Sequence, residues 1–102
     1  MKILYVGETL LRLGAIGREN AIISTKLCDY MGISGTDLRN AIHRERCNDI
    51  KICGDNMGYY IASNEKEVDM QYNRMLNRII EMAKANQTFK KNDLEEETIE
   101  QL

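Results

Sequence analysis

Between Ser24 and Asn48 the chain carries two amphipathic helical patterns, with only Gly32, Ile33 and Ser34 between them. So short a connection makes the two helices immediate packing partners and limits the folds the chain can adopt. Ser24 is expected to cap the first helix. Leu27 and Met31, one turn apart, point inward with Cys28 beside them, and Gly32 supplies the left-handed residue that ends the helix. Ile33 then enters the core. Ser34 caps the second helix, with Asp37 where a capping-box acid sits. Leu38, Ala41, Ile42 and the aliphatic stem of Glu45 make its inner face. The outer face is left with Thr36, Arg39, Asn40, His43 and Arg44, side chains suited to base edges and phosphates. An ordinary solvated helix face is the competing reading of the same residues.

The flanking segments extend this frame. Ile3, Val6, Leu10 and Leu13 follow helical spacing, which predicts a first helix over at least Glu8–Leu13, stopped by Gly14; residues 2–6 fit a strand or a helix. Gly17–Asn20 is a turn, and Ala21-Ile22-Ile23 is a short β-branched strand leading into Ser24. Asn48-Asp49 stops the second helix of the motif. Ile50–Cys53 and Tyr59–Ala62 read as a β-hairpin around a Gly54–Gly58 turn. The order of helix, short strand, two helices and hairpin is that of a winged helix-turn-helix: a mainly α chain with a small β-sheet, α+β in class. Asn64, with Glu67 three residues on, caps a long helix running to about Asn86. In it Val68, Tyr72, Met75, Ile79 and Met82 alternate at spacings of four and three, with Leu76, Ile80 and Ala83 alongside. The predicted organisation is a winged domain over 1–63, a C-terminal helix over 64–88 and an acidic tail over 89–102. The heptads are too few to define a coiled coil. Tyr72, Met75, Leu76, Ile79 and Met82 are the expected contacts of a homodimer, part of the arc packing on Leu10 and Leu13 of the first helix, and a helix folded back along its own domain is the alternative.

A chain of 102 residues with 43% hydrophobic content supports one small core, and the lack of proline and tryptophan favours helix throughout. The net charge of −2 is unevenly spread. All 14 Lys and Arg precede residue 93. Five of the 16 acids (Asp93, Glu95, Glu96, Glu97 and Glu100) fall in the last ten residues. The first 92 residues therefore hold 14 basic against 11 acidic groups, a net of +3. Arg39, Arg44 and Arg46 against Asp37 and Glu45 make residues 34–47 a weak basic patch, enough to permit DNA binding. Cys28, Cys47 and Cys53 are odd in number and lack metal-ligand spacing, so reduced, mostly buried thiols are expected. Neither a leader nor an apolar run near 18 residues is visible, which predicts a soluble protein without membrane attachment. Gly14–Gly17 lacks the lysine of a phosphate loop, and no nucleophile lies beside a base. Neither catalysis nor a cofactor or metal is expected.

Three stretches together resemble a known family: Gly17-Arg18-Glu19-Asn20-Ala21-Ile22, the turn Leu27…Met31-Gly32-Ile33-Ser34, and Gly58-Tyr59-Tyr60-Ile61. Residues 10–62, about half of the chain, resemble the N-terminal DNA-binding domain of biotin-repressor-type regulators. They are equally similar to small winged-helix proteins of bacteriophages and prophages of Gram-positive bacteria. The resemblance implies that helix 34–47 enters the major groove of double-stranded DNA while the hairpin touches neighbouring backbone. It also implies transcription regulation in the cytoplasm of a bacterial host. The candidate DNA contacts are Thr25 and Lys26, Ser34, Thr36, Arg39, Asn40, His43 and Arg44, with Lys51 and Asn56 in the hairpin. Two residues depart from the family pattern. Asp55 stands at the hairpin tip, which has neither Lys nor Arg, and Glu45 lies in the reading helix. Both point to weaker DNA affinity. A protein-binding winged helix, acting as adaptor or inhibitor of a host protein, and a replication accessory protein are the alternatives.

Overall fold

In the computed structural model, which describes residues 5–90, four helices and one hairpin follow in order: α1 (Val6–Arg12), α2 (Ser24–Met31), α3 (Gly35–Cys47), β1 (Ile52–Asp55), β2 (Gly58–Ile61) and α4 (Glu65–Asn86). The chain divides into two compact units, Met1–Gln71 and Tyr72–Leu102. The chain is mainly helical with one two-stranded antiparallel sheet, and so of the α+β kind. Residues 1–4, and the acidic tail from 91 onward, lie outside the described residues.

The first unit is built on an apolar centre of Val6 and Leu10 from α1, Leu27 from α2, Leu38, Ala41 and Ile42 from α3, and Ala15 and Ile52 between them. Met31, Cys28, Ile33, Ile22, Tyr59 and Ile61 pack around it. The inward positions of α3 are therefore those its periodicity predicts. Gly32 adopts the left-handed conformation (φ 68°, ψ 38°) and closes α2 with its N–H on the Cys28 carbonyl. The Ser34 hydroxyl accepts the Asp37 N–H at 3.1 Å and caps α3.

The fourth inward residue of α3 is Glu45, and its carboxylate is buried along with its stem. Oε2 accepts the N–H of Val6 at 2.7 Å and Oε1 that of Gly7 at 2.8 Å. These are orphan donors at the start of α1. Tyr5, at the cap position of that helix, supplies no side-chain bond of its own. A residue 38 positions further along the chain thus caps α1. It adds a negative charge where the helix dipole favours one. Gly7 makes room for this: a Cβ there would lie 3.1 Å from Glu45 Oε1 and 2.8 Å from Ile50 Cγ2.

Three local expectations are corrected. Ser24 does not cap α2. It is the first helical residue, Ile23 holds the cap position, and no side chain bonds there. Ala21–Ile23 is not a strand. Only Ile22 pairs, through reciprocal N–H to carbonyl bonds with Tyr59 of 2.9 and 2.8 Å, while Ile61 takes up Gly17 and Ala15 in the same way. Two short runs on either side of the 3-10 turn Arg18–Asn20 do the work of a strand without extended geometry between them. The hairpin is also tighter than expected. Asp55 pairs with Gly58, which leaves only Asn56 and Met57 in the loop and draws Gly54 and Asp55 into β1. Gly58 (φ 121°) passes so close to the Ile22 carbonyl that no Cβ would fit.

The Asn64 side chain caps α4 by accepting the Glu67 N–H at 2.9 Å. In the second unit α4 continues from Tyr72 to Asn86 and ends in a 3-10 turn, Gln87–Phe89. Cys53 is buried and Cys28 half-buried, but Cys47 is exposed, against the expectation of mostly buried thiols, because it follows Glu45 by two residues and faces away from the core.

Removing the remote cap should be costly. Glu45→Ala leaves the Val6 and Gly7 N–H groups buried and unpaired, so urea unfolding should show a loss of about 1–3 kcal/mol with native helix content retained in the folded baseline. Gly7→Ala should lose about 1–3 kcal/mol by overpacking against Ile50.

Candidate nucleic-acid interface

The geometry of α3 follows from its two-faced sequence. With Leu38, Ala41, Ile42 and Glu45 buried, Thr36, Arg39, Asn40, His43 and Arg44 are all exposed along one stripe. Arg39 Nη2 donates to Thr36 Oγ1 at 3.3 Å, so the guanidinium lies along the helix. A Cβ on Gly35 would meet Arg39 Nη1 at 3.3 Å, so glycine at the first helical position gives that side chain space. The His43 ring nitrogen Nε2 lies 3.7 Å from Cys47 Sγ one turn on. The Arg44 carbonyl accepts from Asn48 Nδ2 at 2.9 Å as the helix closes.

The remaining candidates stand around this stripe. Thr25 and Lys26 are exposed in the first turn of α2, and Ser34 is exposed in the turn between the helices, its hydroxyl committed to the α3 cap. Lys51 is exposed just before β1, and Asn56 is exposed in the hairpin loop. Arg46, counted with the basic patch, belongs elsewhere. It is half-buried, and its Nε donates to the Ile52 carbonyl at 2.8 Å. Its position, four residues from Ile42 and one from Glu45, turns it toward β1. The patch on the outer face is therefore Arg39 and Arg44 with His43.

The two acids that depart from the family pattern are both engaged within the chain. Glu45 is 5% exposed and faces away from the outer stripe. Asp55 is ion-paired with Arg18 Nε and also accepts the Met57 N–H at 2.8 Å. Arg18 Nη2 reaches on to Asn56 Oδ1 at 3.4 Å. The bond from Asp55, and its charge, raise the already high pKa of the Arg18 guanidinium. The backbone N–H of Arg18 donates to Glu67 Oε2 at 2.9 Å, and Glu67 Oε1 takes the N–H and the hydroxyl of Ser63. The hairpin loop is thus held by a chain of polar contacts running from Asn56 through Arg18 to the start of α4. Sequence reading placed Arg18 only in a turn. Its partner is 37 residues away, and nothing in local spacing connects them.

An open cleft of about 770 Å³ lies beside Tyr5, Leu11, Arg44, Ile50, Lys51 and Ile61. Among the described residues no three His, Cys, Asp or Glu side chains converge as metal ligands would. No helix among them is long and apolar enough to cross a membrane. Compared with protein-family models, with curated proteins and with solved structures, the chain matches none.

The pH response of this network has a definite sign. The Ser63 and Arg18 backbone N–H groups, with the Ser63 hydroxyl, lower the pKa of Glu67 below the ordinary glutamate value. A carboxylate lowered in the folded state contributes stability that is complete above its unfolded pKa and is lost as pH falls through the folded one. The Glu67→Gln variant should therefore lose stability at neutral pH and show a flatter decline on acidification than the native chain, read from thermal midpoints across an acid titration.

Proposed function

We propose that the chain is a winged-helix DNA-binding protein of the phage type, a transcriptional regulator in the bacterial host cytoplasm that reads double-stranded DNA with residues 34–47. The observation that carries this reading is the division of α3. Glu45 is turned inward, while Thr36, Arg39, Asn40, His43 and Arg44 point outward beside Asp37 in the first turn. Arg39 has the geometry to give two hydrogen bonds to guanine and Asn40 two to adenine, each pair worth roughly 1–3 kcal/mol of discrimination. His43, Arg44 and Thr36 extend the contact along the groove. Thr25, Lys26 and Ser34 approach phosphate from the start of α2 and the turn, and Lys51 and Asn56 do so from the hairpin. The neutralisation of Asp55 by Arg18 supports this reading, because it removes an uncompensated repulsion at the hairpin loop.

One observation favours a second reading, in which the same scaffold binds a host protein as adaptor or inhibitor or serves as a replication accessory protein. The Arg18 guanidinium, the cation at the hairpin, is engaged by Asp55, so the hairpin offers DNA little positive charge. The two readings part in a direct test. Fluorescence anisotropy against a site selected from random duplex should show Arg39→Ala weakening binding by roughly 1–3 kcal/mol with an unchanged thermal midpoint. Unchanged affinity in that variant removes Arg39 from the interface. Few phosphate contacts also predict a shallow slope of log affinity against log salt, on the order of −2 to −5. No retention on heparin and no duplex binding at low salt would leave the protein-binding reading.

A further inference from the structure

The second unit carries a surface that DNA reading does not use. Along α4, Tyr72, Met75, Ile79, Met82 and Asn86 recur at alternating spacings of three and four. That average of 3.5 residues keeps one seam facing a second helix of the same period. Tyr72 and Met82 on the seam are 64 and 66% exposed, Ile79 60%, and Leu76 on its flank 38%. With large side chains offering about 150–250 Å² each, these fractions leave on the order of 400 Å² of apolar surface along one helix. With flanking polar atoms this approaches the roughly 600–800 Å² per partner at which specific pairing becomes stable.

We infer that residues 72–86 of α4 pair with the same segment of a second copy of this chain, parallel and in register. Parallel pairing follows from what flanks the seam. Arg78 precedes Ile79 on the seam's polar side. In an antiparallel pair centred on Met75 and Ile79, Arg78 would face Arg78 of the other copy, a like-charge contact, and the nearest acid on the helix, Glu81, is paired with Lys84 at 3.4 Å. In the parallel pair Arg78 lies beside Ala83 instead. Asn86 supports the same choice: a polar seam residue is satisfied by its own copy only when the helices run together in register, and it then fixes that register.

The inference stands apart from the DNA reading, and its test uses no DNA. The full chain with Cys47→Ser, which removes the exposed native thiol, receives Ile79→Cys at the seam or Asn77→Cys on the outer side. Each variant is equilibrated in a glutathione redox buffer at high micromolar concentration. Ile79→Cys should be recovered mainly as a disulfide-linked dimer and Asn77→Cys mainly as monomer. Equal yields at the two positions, or preferential cross-linking of Ile79→Cys with Met75→Cys in a mixture, would overturn the parallel register. Sedimentation equilibrium of the native chain should show a dimer, and Ile79→Glu with Met82→Glu should weaken association by about 100-fold or more, with a thermal midpoint equal to that of the native chain at dilutions where both are monomeric. A native chain that remains monomeric at high micromolar concentration overturns the pairing itself.

Discussion

The carboxylate of Glu45 on the N-terminus of α1 is the contact on which the arrangement of the first unit turns. Two helices far apart in sequence are joined by buried charge-assisted hydrogen bonds, which are strong and whose loss is severe. A helix of seven residues has little stability of its own. It persists here because α3 completes its first turn while Val6 and Leu10 seal the core beside that contact. The same bonds fix the rotation of α3 about its axis. Glu45 cannot leave α1 without stranding two donors, so the opposite stripe from Thr36 to Arg44 is presented in one orientation. The inner polar contact and the outer polar face are two consequences of one helical phase.

Much of this was legible in the sequence because periodicity reports phase. The spacing of Leu38, Ala41, Ile42 and Glu45 gave the inward side of α3 directly, and Gly32 and Ser34 marked the break between the helices. The end of α4 at Asn86 and its start after Asn64 followed from composition and capping. What could not be read was pairing at a distance. Periodicity turned the Glu45 stem inward but said nothing of Val6 and Gly7. Arg18 and Asp55 lie in two turns whose approach depends on the whole fold. Ala21–Ile23 has β-branched composition, yet only Ile22 finds a partner, because the chain enters a 3-10 turn just before it. The expected outward face of α3 is exposed as anticipated. Its chemistry toward a ligand is a matter of contact with a partner, which neither spacing nor burial encodes.

Formal charge proves a poor guide to the surface that a partner would meet. Of three arginines in α3, Arg46 serves the sheet. Of the acids that lower the local balance, Glu45 serves a helix terminus, and Asp55 is held by Arg18. Charges counted along a segment overstate both signs, since ionised side chains are recruited in pairs and caps before any remain for recognition.

The hairpin shows how so small a sheet avoids becoming a template for other chains. A strand with unpaired N–H and carbonyl groups along its edge invites intermolecular strand addition and, at high concentration, aggregation. On β2 that edge is filled by the chain itself, through Ala15, Gly17 and Ile22. On β1 it is closed by two long side chains: Gln71 accepts the Gly54 N–H at 3.0 Å, and Arg46 donates to the Ile52 carbonyl. Gln71 and Arg46 thus act as plugs on backbone groups of β1. Shortening either one would open a register of free backbone to any extended segment nearby, including the same strand of a neighbouring molecule.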